Sequence, residues 1–423
     1  MDVLMIGCGA SGAAAAIAAA EAGHRVTVID RNRKPLKKLG VTGNGRGNLM
    51  NDGPLRFYGD EAFAKQVLDC MPRETVRQFL QNLGLSLTAD EEGRVYPSCF
   101  MASVAVDAFL ARLAELGVSI RQNVQVKSIT PTANGFRVTG TESLYAPSTA
   151  KKNGKVKKGD LLEMRPVHFS ADRVILAAGG AAAPAHGTDG SAYSLATRLG
   201  HRLIQPVPAL SPLLTKTEMI RGLEGVRVKA SLRLVSAAGD ALHETSGEAL
   251  FTAEGVSGIA AMQLSRFAAD GCTLVMNLTE SLTGSPDTDV PSWLENRIRQ
   301  RGHLPANQLL VGAALPALQN ALLSMAGISG TIGTSAQLTK PQQDNLCRAI
   351  TGFSLPVVGA RGFDAAQVTA GGIDTADVNP ATLESRLVPG LYLTGEILNV
   401  DGDCGGFNLL FAFASGLLSG KSL

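Results

Sequence analysis

The residues best able to do chemistry stand in four glycine-rich clusters. The first is Gly7-Cys8-Gly9-Ala10-Ser11-Gly12, directly after the apolar run Val3-Leu4-Met5-Ile6. In a G-x-G-x-x-G of this kind the first glycine permits a tight turn. The second lets a pyrophosphate approach the backbone, and the third lets the next helix pack on the sheet. That helix, opening at Ala10 and Ser11, offers free N–H groups and a positive dipole end to phosphate. Asp30 closes the following strand, where it would accept hydrogen bonds from an adenosine ribose. Arg31 and Arg33 follow it, so charge alone leaves a 2′-phosphate open.

The second cluster is Thr42-Gly43-Asn44-Gly45-Arg46-Gly47-Asn48. Alternating glycines suit a backbone cradle for phosphate or flavin, with Gly45 and Asn48 lining it and Arg46 pairing with pyrophosphate. The third is Ala177-Ala178-Gly179-Gly180, where small residues let a strand end beside a cofactor. The loop after it, Ala185-His186-Gly187-Thr188-Asp189-Gly190, lies on the substrate side in this reading. The fourth is Gly395-Glu396 and then Asp401-Gly402-Asp403-Cys404-Gly405-Gly406-Phe407-Asn408. A strand delivers Glu396 towards a ribityl chain, and the paired glycines open a helix facing the pyrimidine edge of a flavin. Reduction puts negative charge on that edge, which a positive helix end stabilises. Together the clusters imply FAD. Val126, on a strand expected at Val124–Ile129, completes the cofactor-facing candidates.

Other chemistries find little support. The six cysteines form no C-x-x-C pair, so a disulfide framework, a zinc site and a flavin-linked dithiol are all disfavoured. No H-x-x-x-H pair supports a catalytic metal, and no G-x-S-x-G supports a hydrolase. A net charge of +2 on 423 residues argues against nucleic acid as a partner. No leader-like segment precedes the first strand. Ala13–Ala20 is too short for a membrane span, and Leu309–Ala326 is interrupted by Pro316, Gln319 and Asn320. A cytoplasmic protein is expected.

The elements that must position these clusters follow from periodicity. Residues 2–30 read as strand, turn, helix, strand. Ala62–Leu83 and Val104–Leu116 read as amphipathic helices, and Val124–Ile129, Phe136–Thr139 and Arg173–Ala178 as strands. The basic run Lys151–Lys158 reads as a solvated hairpin tip. Alternation over Val226–Val235 marks a half-buried strand, and Ala241–Thr252 reads as a hairpin through Ser246-Gly247. Helical patterns with proline breaks dominate from about 286 to 350. The reading is an α/β chain in which both ends build one Rossmann-type dinucleotide domain around an insertion.

The four clusters, in this order, resemble the BaiN-like (YhiN-like) family of FAD-dependent oxidoreductases. The resemblance is carried by KKLGVTGNGRGNLMN (37–51), ILAAGGAAAPAHGTDG (175–190), GEALFTAEGVSG (247–258) and GLYLTGEILNVDGDCGGFNLLFAFASG (390–416). It implies an FAD-binding domain of the glutathione-reductase superfamily type with an inserted β-rich region and a small helical region. The boundaries expected are 1–200 with 365–423 for the FAD domain, 201–285 with 350–364 for the β-rich part, and 286–349 for the helical part. It also implies that Gly7, Gly9, Gly12 and Asp30 bind the ADP part of FAD, and that Arg46 and Asn48 lie in the second cofactor loop. Glu396, Asp401, Gly405, Gly406 and Asn408 then lie near ribityl and isoalloxazine. The chain departs from the family pattern at Gly47, usually Cys, and Met50, usually Thr. Further departures are Ala181-Ala182-Ala183-Pro184, usually bulkier and more polar, and Ile259, usually Pro.

No second G-x-G-x-x-G appears, so NADH or NADPH would dock only transiently as electron donor. The reaction expected is hydride transfer to an electron-poor C=C bond of a small unsaturated or steroid-like molecule. His186 and Tyr193 are the candidates for the acid that completes it. The alternatives are an amine oxidase using oxygen, and a flavoprotein of RNA modification or partner binding.

Overall fold

The computed structural model describes residues 1–146, 149–150, 156–157, 159–328 and 333–423. They form two compact units, one from residues 1–207 and 368–423, the other from 208–367.

The first unit is organised on a five-stranded parallel sheet. Its strands are β1 (Asp2–Ile6), β2 (Arg25–Ile29), β3 (Ser119–Arg121), β4 (Arg173–Leu176) and β5 (Leu391–Leu393). Their spatial order is β5-β4-β1-β2-β3. The central strands β1 and β4 are apolar and buried along nearly their whole length, as strands covered on both faces must be. Helix α1 (Ala10–Glu21) leaves β1 through the first glycine cluster. It is almost all alanine and buried nearly throughout, the signature of a helix enclosed by its neighbours.

Its partner is α2 (Phe407–Lys421). A Cβ at Gly416 would run into the Ser11 carbonyl oxygen, and one at Gly420 into that of Ala15. Glycine is therefore what lets the backbones meet. Because Ser11 faces Gly416 and Ala15 faces Gly420, the two helices run in the same direction.

A three-stranded antiparallel sheet of Val124–Thr132, Gly135–Tyr145 and Leu161–Ala171 also belongs to this unit. Residues 149–150 pair with 156–157. The rest of the basic run at 151–158 lies outside the described residues. The single helix expected at Ala62–Leu83 is two helices, Glu61–Cys70 and Arg73–Asn82. Pro72 explains the break: it has no N–H to donate and disfavours helical geometry at Met71, which takes φ −128°.

The second unit holds a closed six-stranded antiparallel barrel. The order is Leu213–Thr215, Gly255–Ser257, Ala241–Phe251, Arg227–Val235, Thr273–Asn277 and Phe353–Ala360. Arg227–Val235 alternates exposed and buried side chains along its length. The hairpin expected at Ser246-Gly247 is instead one continuous strand, Ala241–Phe251, with its turn earlier, at Ser236–Asp240. Ser246 and Gly247 keep their ladder pairing with Ser231 and Ala230. Helices Val290–Arg301, Pro316–Met325 and Lys340–Thr351 add Leu294, Leu322 and Ile350 to the buried cluster that contains the barrel's Leu232, Phe251 and Phe353.

No helix among the described residues is long and apolar enough to cross a membrane.

Candidate cofactor site

The three glycines of the first loop are needed for three different reasons. Gly7 has φ +104°, and a Cβ there would run into the Ala177 carbonyl oxygen. A Cβ at Gly12 would run into the carbonyl oxygen of Gly7. Gly9 is the opposite case, since a Cβ there meets nothing within 4 Å. The space above Gly9 is an open cradle at the start of α1, where no side chain caps the N–H groups of the first turn. An anion can take those donors at Ala10, Ser11 and Gly12.

Asp30 stands just beyond β2 and is only 6% exposed. Its Oδ2 accepts from the Cys8 N–H at 2.7 Å and its Oδ1 from the Asn32 N–H at 2.6 Å. Burial pushes the carboxyl above its usual range, although these donors and Arg31 oppose it. Burial also pushes the Cys8 thiol up, with Asp30 adding to it, so Cys8 is no thiolate nucleophile. Val124 donates its N–H to the Asp30 carbonyl at 2.9 Å, which brings the strand carrying half-buried Val126 beside the acid. Arg31 is engaged by Asp189 and by Ser191 Oγ at 3.1 Å, tying the end of β2 to the loop after Gly187.

The second loop is a tight turn at Leu39–Gly45 whose helical geometry fails at Thr42. Gly43, Asn44, Gly45 and Gly47 then all take positive φ. A Cβ at Gly45 meets nothing within 4 Å, so the backbone is open there too. Gly47 is closed: a Cβ would lie 2.9 Å from Ala102 Cα. Arg46 is exposed and makes no ion pair among the described residues. Asn48 Oδ1 is buried without a hydrogen-bond partner and faces Gly406, where a Cβ would lie 2.7 Å away.

The third and fourth clusters close on these loops. Ala178 Cα would lie 2.9 Å from a Cβ on Gly7, so Ala178-Gly179 runs alongside the first loop. Gly395 has φ +76°, and a Cβ there would run into Ser11 Oγ, while its N–H donates to Ser415 Oγ at 3.1 Å. Lys38 Nζ lies 2.7 Å from Glu396 Oε2. Asp401 is buried on a short strand, Val400–Gly402, paired with Phe57–Gly59. Asn408 spends its amide on Gly402, accepting from its N–H and donating to its carbonyl, both at 2.8 Å. It shapes the turn before α2. The Asn51 amide does the same from outside, donating to the Gly405 carbonyl at 2.8 Å. Phe407 packs edge-on against Phe57, and Gly406, with φ +102°, begins α2 without a side-chain cap.

Two uncapped helix N-termini result. Since α1 and α2 run in parallel and Ser11 meets Gly416, the start of α2 extends eight residues past the start of α1. At the helical rise that is about 12 Å along the axis. Gly7, Gly9, Gly12, Gly179 and Gly395 gather at the first N-terminus, and Asn48, Gly405 and Gly406 at the second. Buried Thr394 Oγ1, like Asn48 Oδ1, has no hydrogen-bond partner among the described residues. An elongated dinucleotide such as FAD fits this arrangement: an open cradle for pyrophosphate, a buried acid for ribose and orphaned polar atoms for the remainder.

The proton-donor candidates are both shielded. His186 Nδ1 is buried without a partner, and burial, then Lys37 and Lys38, push the imidazole below its usual range. The ring is neutral at pH 7. Tyr193 is 5% exposed, and burial followed by the charge of Glu396 pushes its hydroxyl above the usual phenol range, with Thr369 partly opposing. Sequence reasoning missed Lys38, Asn51, Thr369 and Ser415. Lys38 lay within a basic run and Thr369 within a glycine-rich strand, but neither position signals its partner.

A family model described as HI0933-like protein Rossmann domain matches residues 1–422. A 3-dehydro-bile acid delta(4,6)-reductase of Clostridium scindens is 34% identical over 426 residues, covering 99% of this chain and 98% of the relative. Ribosomal RNA dihydrouridine synthases of Escherichia coli and Haemophilus influenzae are each 25% identical over 419 residues, covering 98% and 97% of this chain and 96% of each relative. With one model spanning the whole chain and a relative this similar from end to end, the chain belongs to the HI0933-like Rossmann-domain family, the FAD-dependent oxidoreductases that its sequence resembles.

Proposed function

We propose that the chain is an FAD-dependent reductase that saturates a C=C bond polarised by a nearby carbonyl, in a small, largely apolar molecule. The observation that carries the cofactor reading is the pair of parallel, uncapped helix N-termini staggered by about 12 Å along their axes, each facing a glycine loop. The substrate class draws its support from the bile-acid reductase relative. FAD, when bound, supplies hydride chemistry, with NADH or NADPH as the donor in this reading.

The chain's own residues do the rest. The first turn of α1 and the Gly9 cradle bind pyrophosphate, with Arg46 free to pair with it. Asp30, with Val126 beside it, holds the adenosine end, and Ala178-Gly179 gives the backbone close approach. Glu396 faces the ribityl chain. The N–H groups at the start of α2, shaped by Asn408 and Asp401, stabilise negative charge at that end of the site. Tyr193 keeps its proton across the working pH range, whereas neutral His186 has no acidic proton to give, so Tyr193 is the better proton donor.

A second reading is favoured by the dihydrouridine synthase relatives. Dihydrouridine is uridine with its ring C=C saturated, so the bond chemistry would be the same and only the carrier would differ.

The test is anaerobic. NADH or NADPH should bleach the visible flavin bands of the FAD-loaded protein. A steroid enone or another small conjugated enone should then restore them. Recovery only with ribosomal RNA would move the assignment to the second reading. Bleaching by an amine and not by NAD(P)H would make the protein an amine oxidase. Tyr193→Phe should lower turnover about 100-fold with FAD content unchanged; full activity would remove Tyr193 from the chemistry.

A further inference from the structure

The first unit contains a chain of polar contacts that no binding motif accounts for. Lys38 Nζ meets Glu396 Oε2 at 2.7 Å, with both side chains largely shielded from water. The other carboxylate oxygen, Oε1, accepts the Thr369 N–H at 3.0 Å. The Thr369 hydroxyl oxygen accepts the N–H groups of Ala181 at 2.8 Å and Ala182 at 2.9 Å. Gly180 leaves room for this junction, since a Cβ there would run into Thr369 Oγ1 and lie 3.2 Å from Glu396 Oε1. Four segments far apart in sequence are thus held at one point: the start of the second loop, the third cluster, the strand Val368–Ile373 and the fourth cluster.

We propose that Lys38 is a positioning residue, whose ion pair with Glu396 sets the spacing between the second loop and the Gly395-Glu396 segment, between which FAD is held. The proposal rests on the reading of this site as an FAD site. Lys38 immediately precedes the Leu39–Gly45 turn that presents Gly45 and Arg46. Glu396 immediately follows Gly395, where a Cβ would run into Ser11 Oγ. The ammonium therefore joins one side of the cradle to the other. A carboxylate offers about four lone-pair sites. Lys38 and Thr369 use one on each oxygen and leave one on each for a ribityl hydroxyl. Without the ammonium, the shielded carboxylate must draw in water or swing outward. The second loop then loses its tether, and ordering it again on binding weakens affinity. Neighbouring Lys37 carries the same charge but donates to the Ala185 carbonyl at 2.6 Å, in the loop after the third cluster, rather than to Glu396.

The experiment measures FAD affinity of the full chain by fluorescence quenching, with circular dichroism to confirm folding. Lys38→Met should weaken binding on the order of tenfold, Lys38→Arg should restore most of it, and Lys37→Met should stay within about twofold. If Lys38 acts through Glu396, the double variant Lys38→Met/Glu396→Gln should bind no more weakly than Glu396→Gln alone. Unchanged affinity in Lys38→Met, an equal loss in Lys37→Met, or losses that multiply in the double variant would each overturn the proposal. If Lys38→Met does not fold, Lys38→Arg decides: tight binding beside a weak Glu396→Gln supports the ion pair, and tight binding by both refutes it. A wild-type chain that takes up no FAD overturns the cofactor reading, and the ion pair's role with it.

Discussion

Gly7 and Gly9 stand two residues apart, and a side chain would have opposite consequences at each. Gly9→Val puts its methyls into empty space, so the apo protein should lose no more than about 1 kcal/mol. The same methyls occupy the pyrophosphate cradle, and FAD affinity should fall more than about 100-fold. Gly7→Ala forces a Cβ into the Ala177 carbonyl at a φ that L-residues rarely adopt. It should cost about 2–4 kcal/mol of folding stability before any ligand is added. Urea unfolding together with an FAD titration separates the two, and a Gly9→Val protein that keeps its flavin would refute the cradle. The glycines were legible in the sequence because their need is local, arising within one turn. Lys38 and Thr369 were not, because an ion pair across 358 residues leaves no periodic or compositional trace.

At the scale of elements, Glu142 clamps three strands. It accepts from Arg121 on β3 at 3.0 Å and from Arg165 on Leu161–Ala171 at 2.8 Å, while itself lying on Gly135–Tyr145. Burial pushes its carboxyl up, but the two arginines outweigh burial and hold it below its usual range. This stabilisation is present above about pH 4.3 and is lost as pH falls through the lowered folded value. Glu142→Gln should cost about 1 kcal/mol, a small figure because both arginines are substantially exposed. Acid titration of the variant should show a flatter loss of stability below pH 4; an unchanged profile would refute the clamp. Four of the five sheet strands were legible from their apolar runs; β3, the short Ser119–Arg121 strand at the sheet edge, has no such run and was not. Two boundaries were not: the break at Pro72 and the continuous strand through Gly247. In the first, helical periodicity resumes on both sides of the proline and hides it. In the second, ladder pairing overrides a turn-like dipeptide.

At the scale of the whole molecule, every proposed FAD contact falls in the first unit. Asp374 donates its N–H to the Arg202 carbonyl, and Gly371 packs on the Gln205 carbonyl. The chain therefore leaves at 207 and returns at 368 on neighbouring antiparallel segments. Replacing 208–367 by a short Gly–Asn turn should give a protein that still binds FAD within about tenfold. Loss of binding would place cofactor determinants in the second unit. Stability of the first unit should also depend on pH through His201. Its ring is buried against Ser385 Oγ at 2.9 Å, and burial pushes the imidazole down, with Asp377 opposing. The folded state keeps the ring neutral, so stability falls as pH drops below the unfolded value of about 6.5, by at most about 1.4 kcal/mol per pH unit. Urea midpoints at pH 7.5 and 5.5 should show this slope, and His201→Asn should remove it.

The parallel packing of α1 on α2 has a consequence for synthesis on the ribosome. The alanine-rich helix Ala10–Glu21 is buried, in part, against one that is made only when synthesis reaches Phe407–Lys421. Until residues 407–421 leave the exit tunnel, the emerging chain carries an uncovered apolar helix and half a cradle. It offers chaperones a surface that the finished protein hides. Flavin uptake must wait until this second helix has been made, so chains cut short upstream of Phe407 would be marked for degradation by their inability to retain the cofactor.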